Sequence, residues 1–376
     1  MNVVTAQQAS RFQFELAGEG NDAELRVLLR RMPVEGAMRV AFEREPSFFA
    51  AAKIQGNVHQ TGFVRDSSTG QIIGMGTRSI AEAFINGEAA PLGYLSDLRL
   101  DSRYRNRTLV ARGYRMLREL HQDGRAQLYN TVIFSDNKTA LRTIAQGRAG
   151  LPTYHDCGLL HCPGINIGRR KPQIPFDGEI IRGSTGLLPE IVECLNRNNQ
   201  RKQFAPYHRV EDFLPHGRWR GFQPDNFHVA TRGKRIIGVI GKWDQRRFKQ
   251  TRVIGYQGHL RSLQPMLNAL PRIFGTPRLP KPGSVLAYFY ASFAAIDGDD
   301  LAIFRALLRE IYNDALTGEF DYFLIGLHER DPLRAGLNDY SLTPFFGRLF
   351  CVCFENDEPE LRRLDERCPY IEIATL

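Results

Sequence analysis

Apolar residues alternate with polar ones in FQFEL (12–16), the two-residue period of a half-buried strand. NDAELRVLLRRM then switches to helical spacing, with Asn21 or Asp22 as N-cap, and EPSFFAAAKI predicts a second short helix. The long stretch from His59 to Leu100 predicts three antiparallel strands turning at DSSTG and NGE, and the Asn-Gly pair is a strong hairpin cue. Leu98–Leu120 passes from a strand end through an arginine-crowded turn into an amphipathic helix. A strand in QLYNTVIFS and a helix opening near Asp136–Asn137 follow.

INIGRRKPQIP is polar, basic and proline-bearing, the pattern of a linker. After it the order begins again: GEIIRGS as a strand, GLLPEIVECLNRNNQ as a helix, HRVEDFL as a short helix and NFHVATRGKRIIGVIGKW as a hairpin. SVLAYFYASFAAID is then a strand, DDLAIFRALLREIYNDALTG a long helix, and EFDYFLIGL a strand. FFGRLFCVCFENDEP alternates like a strand, with Cys351 and Cys353 on one face.

Local echoes mark a repeat. Ile72-Ile73-Gly74 returns as Ile236-Ile237-Gly238, offset by 164 positions. SDLRLD (96–101) returns as SFAAID (292–297) at 196, and FSDNKTALR aligns with LHERDPLRA at 193. The proline-rich ALPRIFGTPRLPKPG supplies the extra length of the second copy. The expectation is an α/β protein with mixed sheets, two copies of one module. Their bounds are 1–165 and 177–376, with 166–176 as linker.

Composition changes this picture little, but charge does. A net charge of +9 favours an anionic partner such as nucleic acid, a phosphorylated cofactor or a membrane surface. No run of eighteen apolar residues predicts a transmembrane helix, and the start carries no secretory pattern. Six cysteines spaced C-x4-C and C-x-C match no zinc pattern, which points to a reduced, cytoplasmic chain. YHDCGLLHC, with His155, Cys157, His161 and Cys162, suits a strand better than a metal site. WRGF and KWDQRRFKQTR mix aromatic and basic residues and read as a solvated basic hairpin.

The chemistry concentrates at the arginine turn. A strand feeding a helix N-terminus leaves unsatisfied N–H groups and a positive dipole end, and arginine adds bidentate donors for phosphate. In element order and in LRLDSRYRNRTLV, the chain resembles the GNAT superfamily of acyl-CoA N-acyltransferases, whose R/Q-x-x-G-x-G/A loop holds the CoA pyrophosphate. The resemblance places Arg105 on the leading position of that motif. Asn106, Arg107, Thr108, Leu109 and Val110 run through the loop, and Leu98, Arg99 and Leu100 offer strand backbone to the pantetheine arm. Thr108 and Val110 stand where the family has small residues or glycine. SDNKTALR resembles the family's N-x-x-A segment, which implies an Asn137 contact to the pantetheine, and Ile144 stands where the family's acid tyrosine often lies.

Amine acylation needs a base for the ammonium proton and an acid for the departing thiolate. Asp97 is the candidate base, set against a plain ion pair with an arginine. Tyr154, with Tyr94 and Tyr114, is the candidate acid, set against core packing. Ser135 and Asp136 read as helix caps. In the second copy Asp297, Asp299 and Asp300 replace the arginines, which favours the helix start but repels a phosphate. The resemblance therefore implies one working cofactor site, as in the tandem Fem-type aminoacyl-tRNA transferases and N-myristoyltransferases. The expected activity is transfer of an acyl group, acetyl first, from acetyl-CoA or another acyl-CoA to the amine of a small molecule, peptide or protein. Two alternatives stay open: a Fem-like transferase drawing on aminoacyl-tRNA, and a non-catalytic pair that binds a ligand or partner.

Overall fold

The computed structural model describes residues 10–105, 108–145, 151–259 and 279–376. The first half runs β1 (Phe12–Leu16), α1 (Asp22–Arg31), β2 (Met38–Glu43), α2 (Phe48–Ala52), β3 (Val58–Asp66), β4 (Gln71–Ile85), β5 (Glu88–Leu100), α3 (Leu109–His121), β6 (Tyr129–Phe134), α4 (Lys138–Ala145), β7 (Thr153–His161) and β8 (Gly164–Asn166). The second runs β9 (Glu179–Arg182), α5 (Leu188–Asn199), β10 (Phe227–Arg232), β11 (Arg235–Trp243), β12 (Gln250–Tyr256), β13 (Tyr288–Ile296), α6 (Leu301–Ala315), β14 (Tyr322–Leu324), β15 (Leu327–His328), β16 (Leu342–Thr343), β17 (Phe346–Cys353) and α7 (Glu358–Arg362).

Two mixed sheets carry the fold. The first is ordered β1-β3-β4-β5-β6-β17-β7-β15 and the second β9-β10-β11-β13-β14-β8-β16. In each, an antiparallel meander ends in one parallel pair, β5 with β6 and β13 with β14. The echoes in sequence become equivalent positions in space. Gly93 and Tyr94 pair with Tyr129 and Asn130, and Phe289 and Tyr290, 196 positions on, pair with Phe323 and Leu324.

The division at 166–176 and sheet membership do not coincide. β17 lies between β6 and β7 in the first sheet, while β8 pairs with β14 in the second. Ile165, the last residue of the first module as bounded from sequence, is fully buried in β8 of the second sheet. The following residues are strapped along α6, with the Gly168 amide on the Tyr312 hydroxyl at 3.0 Å and the Lys171 amide on Asn313 at 3.0 Å. β2, which no clean alternation announced, forms a ribbon with β12 that also joins the halves. HRVEDFL holds only a single 3₁₀ turn at Val210–Phe213. Leu214 precedes Pro215 and is forced back to extended backbone, which stops the helix.

Two polar anchors fix α3 across the first sheet. Arg78, 1% exposed, donates to both Asp123 carboxylate oxygens at 2.8 Å, to the Leu120 carbonyl at 3.0 Å and to the Tyr129 hydroxyl at 3.2 Å. This ties the C-terminal turn of α3 to β4 and β6. At the other end, Asp66 accepts from Arg11, Ser68 and the Tyr104 hydroxyl, so the turn before α3 hangs from β3.

Cutting the first anchor with Arg78→Ala removes the partner of a half-sequestered carboxylate, and a loss of about 3 kcal/mol is expected, read as a lowered Tm. The Arg78 bonds hold Asp123 down at about 2. A depressed carboxyl stabilises above its ordinary pKa and loses that contribution as pH falls through the folded value. Asp123→Asn is therefore expected to flatten the stability loss between pH about 4 and about 2 in acid titrations followed by circular dichroism.

Candidate functional site

β5 and β6 part company soon after they meet. Only Gly93 and Tyr94 pair with β6, and Thr131 Oγ1 donates to the Leu95 carbonyl at 2.8 Å as the last link. Opposite, on β4, the register shifts between Met75 and Thr77, so Asp97 and Leu98 stand against Gly76 alone. This bulge turns Asp97 to φ +55°, a left-handed conformation that an aspartate tolerates better than most residues. The result is a V-shaped opening whose walls keep apolar side chains in water: Leu98 is 60% exposed and Phe134 44%. Phe42 stacks on Phe134 with ring centroids 6.3 Å apart.

The N-terminus of α3 lies on the chain just past this opening. Thr108 is its N-cap but makes no side-chain cap bond, and the first turn holds no acidic residue. Among the described residues the first amides of this thirteen-residue helix have no carboxylate or hydroxyl acceptor, the electrostatic setting that suits an anion. Leu109 is 3% exposed and packs with Phe12, Val64 and Ile73, so only its backbone faces the turn.

The arginines divide by role. Arg103 folds back on Asp101 at 2.7 Å, Arg112 donates to the Phe12 carbonyl at 2.8 Å, and Arg118 lies over the Phe354 ring. Arg105 is exposed and makes no ion pair among the described residues. Asn106 and Arg107 lie outside them.

Inside the opening, Asp97 is partly buried and forms an ion pair with an arginine. Arg44 donates to it at 2.7 Å, with side-chain exposures of only 7% and 12% for the two partners. Burial pushes the Asp97 carboxyl up, but the positive charges of Arg44 and Arg99 outweigh it and hold it below the ordinary carboxylate range. The second nitrogen of Arg44, Nη1, is buried with no partner among the described residues. His59 bridges Ser79 and Thr61 at 3.1 Å each, and burial with the Arg44 charge pushes it down to about 4, so the ring is neutral. From the second half, Gln250 bonds both the amide and carbonyl of Glu45 at 3.1 Å, which sets Lys249 beside Arg44. Lys249 in turn donates to the main-chain oxygens of Ala374 and Leu376.

The other candidates sit elsewhere. Tyr154 shares a 2.6 Å bond with Tyr114 under α3, packed near Leu95, Leu117 and Phe350, and burial raises both phenols. Asn137 is the cap of α4, accepting from the Ala140 amide at 3.1 Å, a role the sequence had offered to Ser135 or Asp136. Arg99 reaches the Met32 carbonyl at 3.3 Å, and Leu100 packs beneath the turn with Tyr104. Arg44, His59 and Lys249 escaped the sequence reading because no local motif joins them. They meet only through the β2–β12 ribbon and the β3–β4 pairing.

Among the described residues there is no cluster of metal-binding side chains and no helix long and apolar enough to cross a membrane. No family model matches this sequence, and no curated protein matches it. Solved structures do. N-myristoyltransferase from Saccharomyces cerevisiae with bound myristoyl-CoA superposes at TM-score 0.58 and 13% identity, over 92% of this chain and 83% of that one. A GCN5-related N-acetyltransferase from Anabaena variabilis superposes at TM-score 0.50 and 12% identity, over 91% and 72%. At such identities the likeness is one of architecture, and it settles the architecture: the chain has the mixed α/β fold of the GNAT-like N-acyltransferases.

Proposed function

We propose that the chain is an N-acyltransferase that binds acyl-CoA, acetyl-CoA first, at the β5–β6 opening and passes the acyl group to an amine. The observation that carries this reading is the open helix N-terminus of α3 beside a strand bulge, with Arg105 exposed at the turn. The amides of Thr108, Leu109 and Val110, with Arg105 and Arg107, hold the pyrophosphate. Leu98, Arg99 and Leu100 present the strand edge to the pantetheine arm. Asn137 already caps α4 through its oxygen, which leaves its amide nitrogen for the same arm.

In this reading the acceptor lies between two GNAT-like modules, 1–165 and 177–376, where Asp97 and Arg44 from one side meet Lys249 from the other. Asp97, ionised throughout the neutral range, accepts a hydrogen bond from the incoming ammonium. Its pairing with Arg44 makes it a weak base, so it orients the amine while the proton passes on to solvent. Tyr154 is the phenol available to the departing thiolate, whose own basicity is modest. Six free cysteines agree with work in the reducing cytoplasm, and the acceptor is a small molecule, peptide or protein amine.

Calorimetric titration with CoA and acetyl-CoA tests the donor site. Saturable binding is expected, weakened at least about 100-fold in the Arg105→Ala/Arg107→Ala variant, since each of the two lost charge-assisted contacts is worth about 1.5–3 kcal/mol. Absence of binding by folded protein overturns the reading. Asp97→Asn is expected to lower kcat for acetyl transfer to an amine at least about tenfold while leaving CoA affinity unchanged, the mark of a group facing the acceptor.

A further inference from the structure

The second sheet repeats the geometry of the first and then closes it. Phe293 and Ala294 stand against Ile240 alone, as Asp97 and Leu98 do against Gly76, and Phe293 has φ +57° where Asp97 has +55°. β13 pairs with β14 from Tyr288 as far as Tyr290 and then diverges, as β5 does from β6. Here, however, the chain itself fills the gap. The Phe293 amide donates to Glu372 Oε2 at 2.6 Å, the Tyr370 hydroxyl to the same oxygen at 2.9 Å, and the Ala374 amide to Oε1 at 3.1 Å. Glu372 is 3% exposed with no cationic partner among the described residues; burial pushes its carboxyl up, and its two oxygens are taken by these N–H and O–H donors. Ile373 lies so close to Gly326, in the link between β14 and β15, that a Cβ there would come within 2.3 Å of it.

The second anchoring point is closed as well. Asp300 caps α6, accepting from the Ala302 amide at 2.8 Å and the Ile303 amide at 3.3 Å, whereas the Thr108 side chain makes no cap bond on α3. Asp297 and Asp299 beside it are held by Arg197, Arg235 and Arg201. In the second sheet a bulge amide and a helix N-terminus each carry an internal carboxylate, whereas in the first no carboxylate among the described residues caps α3.

We infer that Glu372 and Asp300 are built-in occupants of a second acyl-CoA cleft, so that the chain takes one acyl-CoA, in the first sheet, and commits the second sheet to holding residues 370–376 beside the acceptor. This rests on the donor site proposed above. The same segment delivers the Ala374 carbonyl to Gln245 at 2.8 Å and to Lys249, so the occupant also shapes the ground between the halves.

Hydrogen exchange read by mass spectrometry, with calorimetry alongside, tests it on the full chain. In the wild type the Phe293 amide should be strongly protected without ligand, and CoA should bind once per chain, slowing exchange in 96–113 and leaving 288–303 unchanged. Glu372→Ala should speed exchange of the Phe293 amide at least tenfold. Glu372→Gln, equal in size but able to turn only one oxygen to the donors, should do so to a smaller degree, and it supplies the measurement if the alanine variant does not fold. Two CoA molecules per wild-type chain, protection of 288–303 by CoA, or an unprotected Phe293 amide in the wild type would each overturn the inference. If CoA does not bind at all, the donor-site reading fails, while the exchange of Phe293 in the two variants still decides whether Glu372 fills the cleft.

Discussion

One extra residue in β5 governs the architecture. Two residues opposite one force a local bend that the antiparallel ladder with β4 absorbs but the parallel ladder with β6 does not. The strands separate, a strand edge that would otherwise be hydrogen-bonded is left open, and α3 must start where the gap widens. The same step in β13 opens the same gap. What differs is what meets the diverging strand: the Arg44–Asp97 pair and exposed Leu98 in one sheet, the buried carboxyl group of Glu372 in the other.

Such an opening is costly unless its rims are rigid, and the rims are held by polar groups sunk in apolar surroundings. Arg78 sets the far end of α3, Asp66 sets the near turn, and Arg44 braces Asp97 from the side. Each is a charge that could not stay buried without its partners. Together they let the helix present an uncapped N-terminus, which no cap of its own stabilises.

Much of this was legible along the chain. Period-two runs and the NGE turn announced β3, β4 and β5, and the echoes at 164 and 196 fell on equivalent bulges, because a repeated backbone geometry demands similar residues around it. Asp97 stood out as a carboxylate at the strand end. What could not be read was where it points and with whom. Arg44 lies 53 positions before it and Lys249 152 after, and only tertiary pairing unites them. Glu372 was invisible for the same reason: IEIATL alternates like any short edge strand, and nothing local says that its carboxylate will seek an amide 79 residues away. The exchange of β8 and β17 was hidden too, since alternation identifies a strand but not the sheet that receives it.

That exchange bears on how the molecule is made. β17 is an interior strand of the first sheet, flanked by β6 and β7, yet it is translated after nearly the whole second half. On the ribosome the first sheet must wait with a gap at its centre, β6 and β7 each presenting an unpaired edge, until residues 346–353 emerge. The two halves therefore mature together. A chain stopped near residue 165 would lack a central strand of the very sheet that carries the bulge, which makes the completed second half a condition for the first to close.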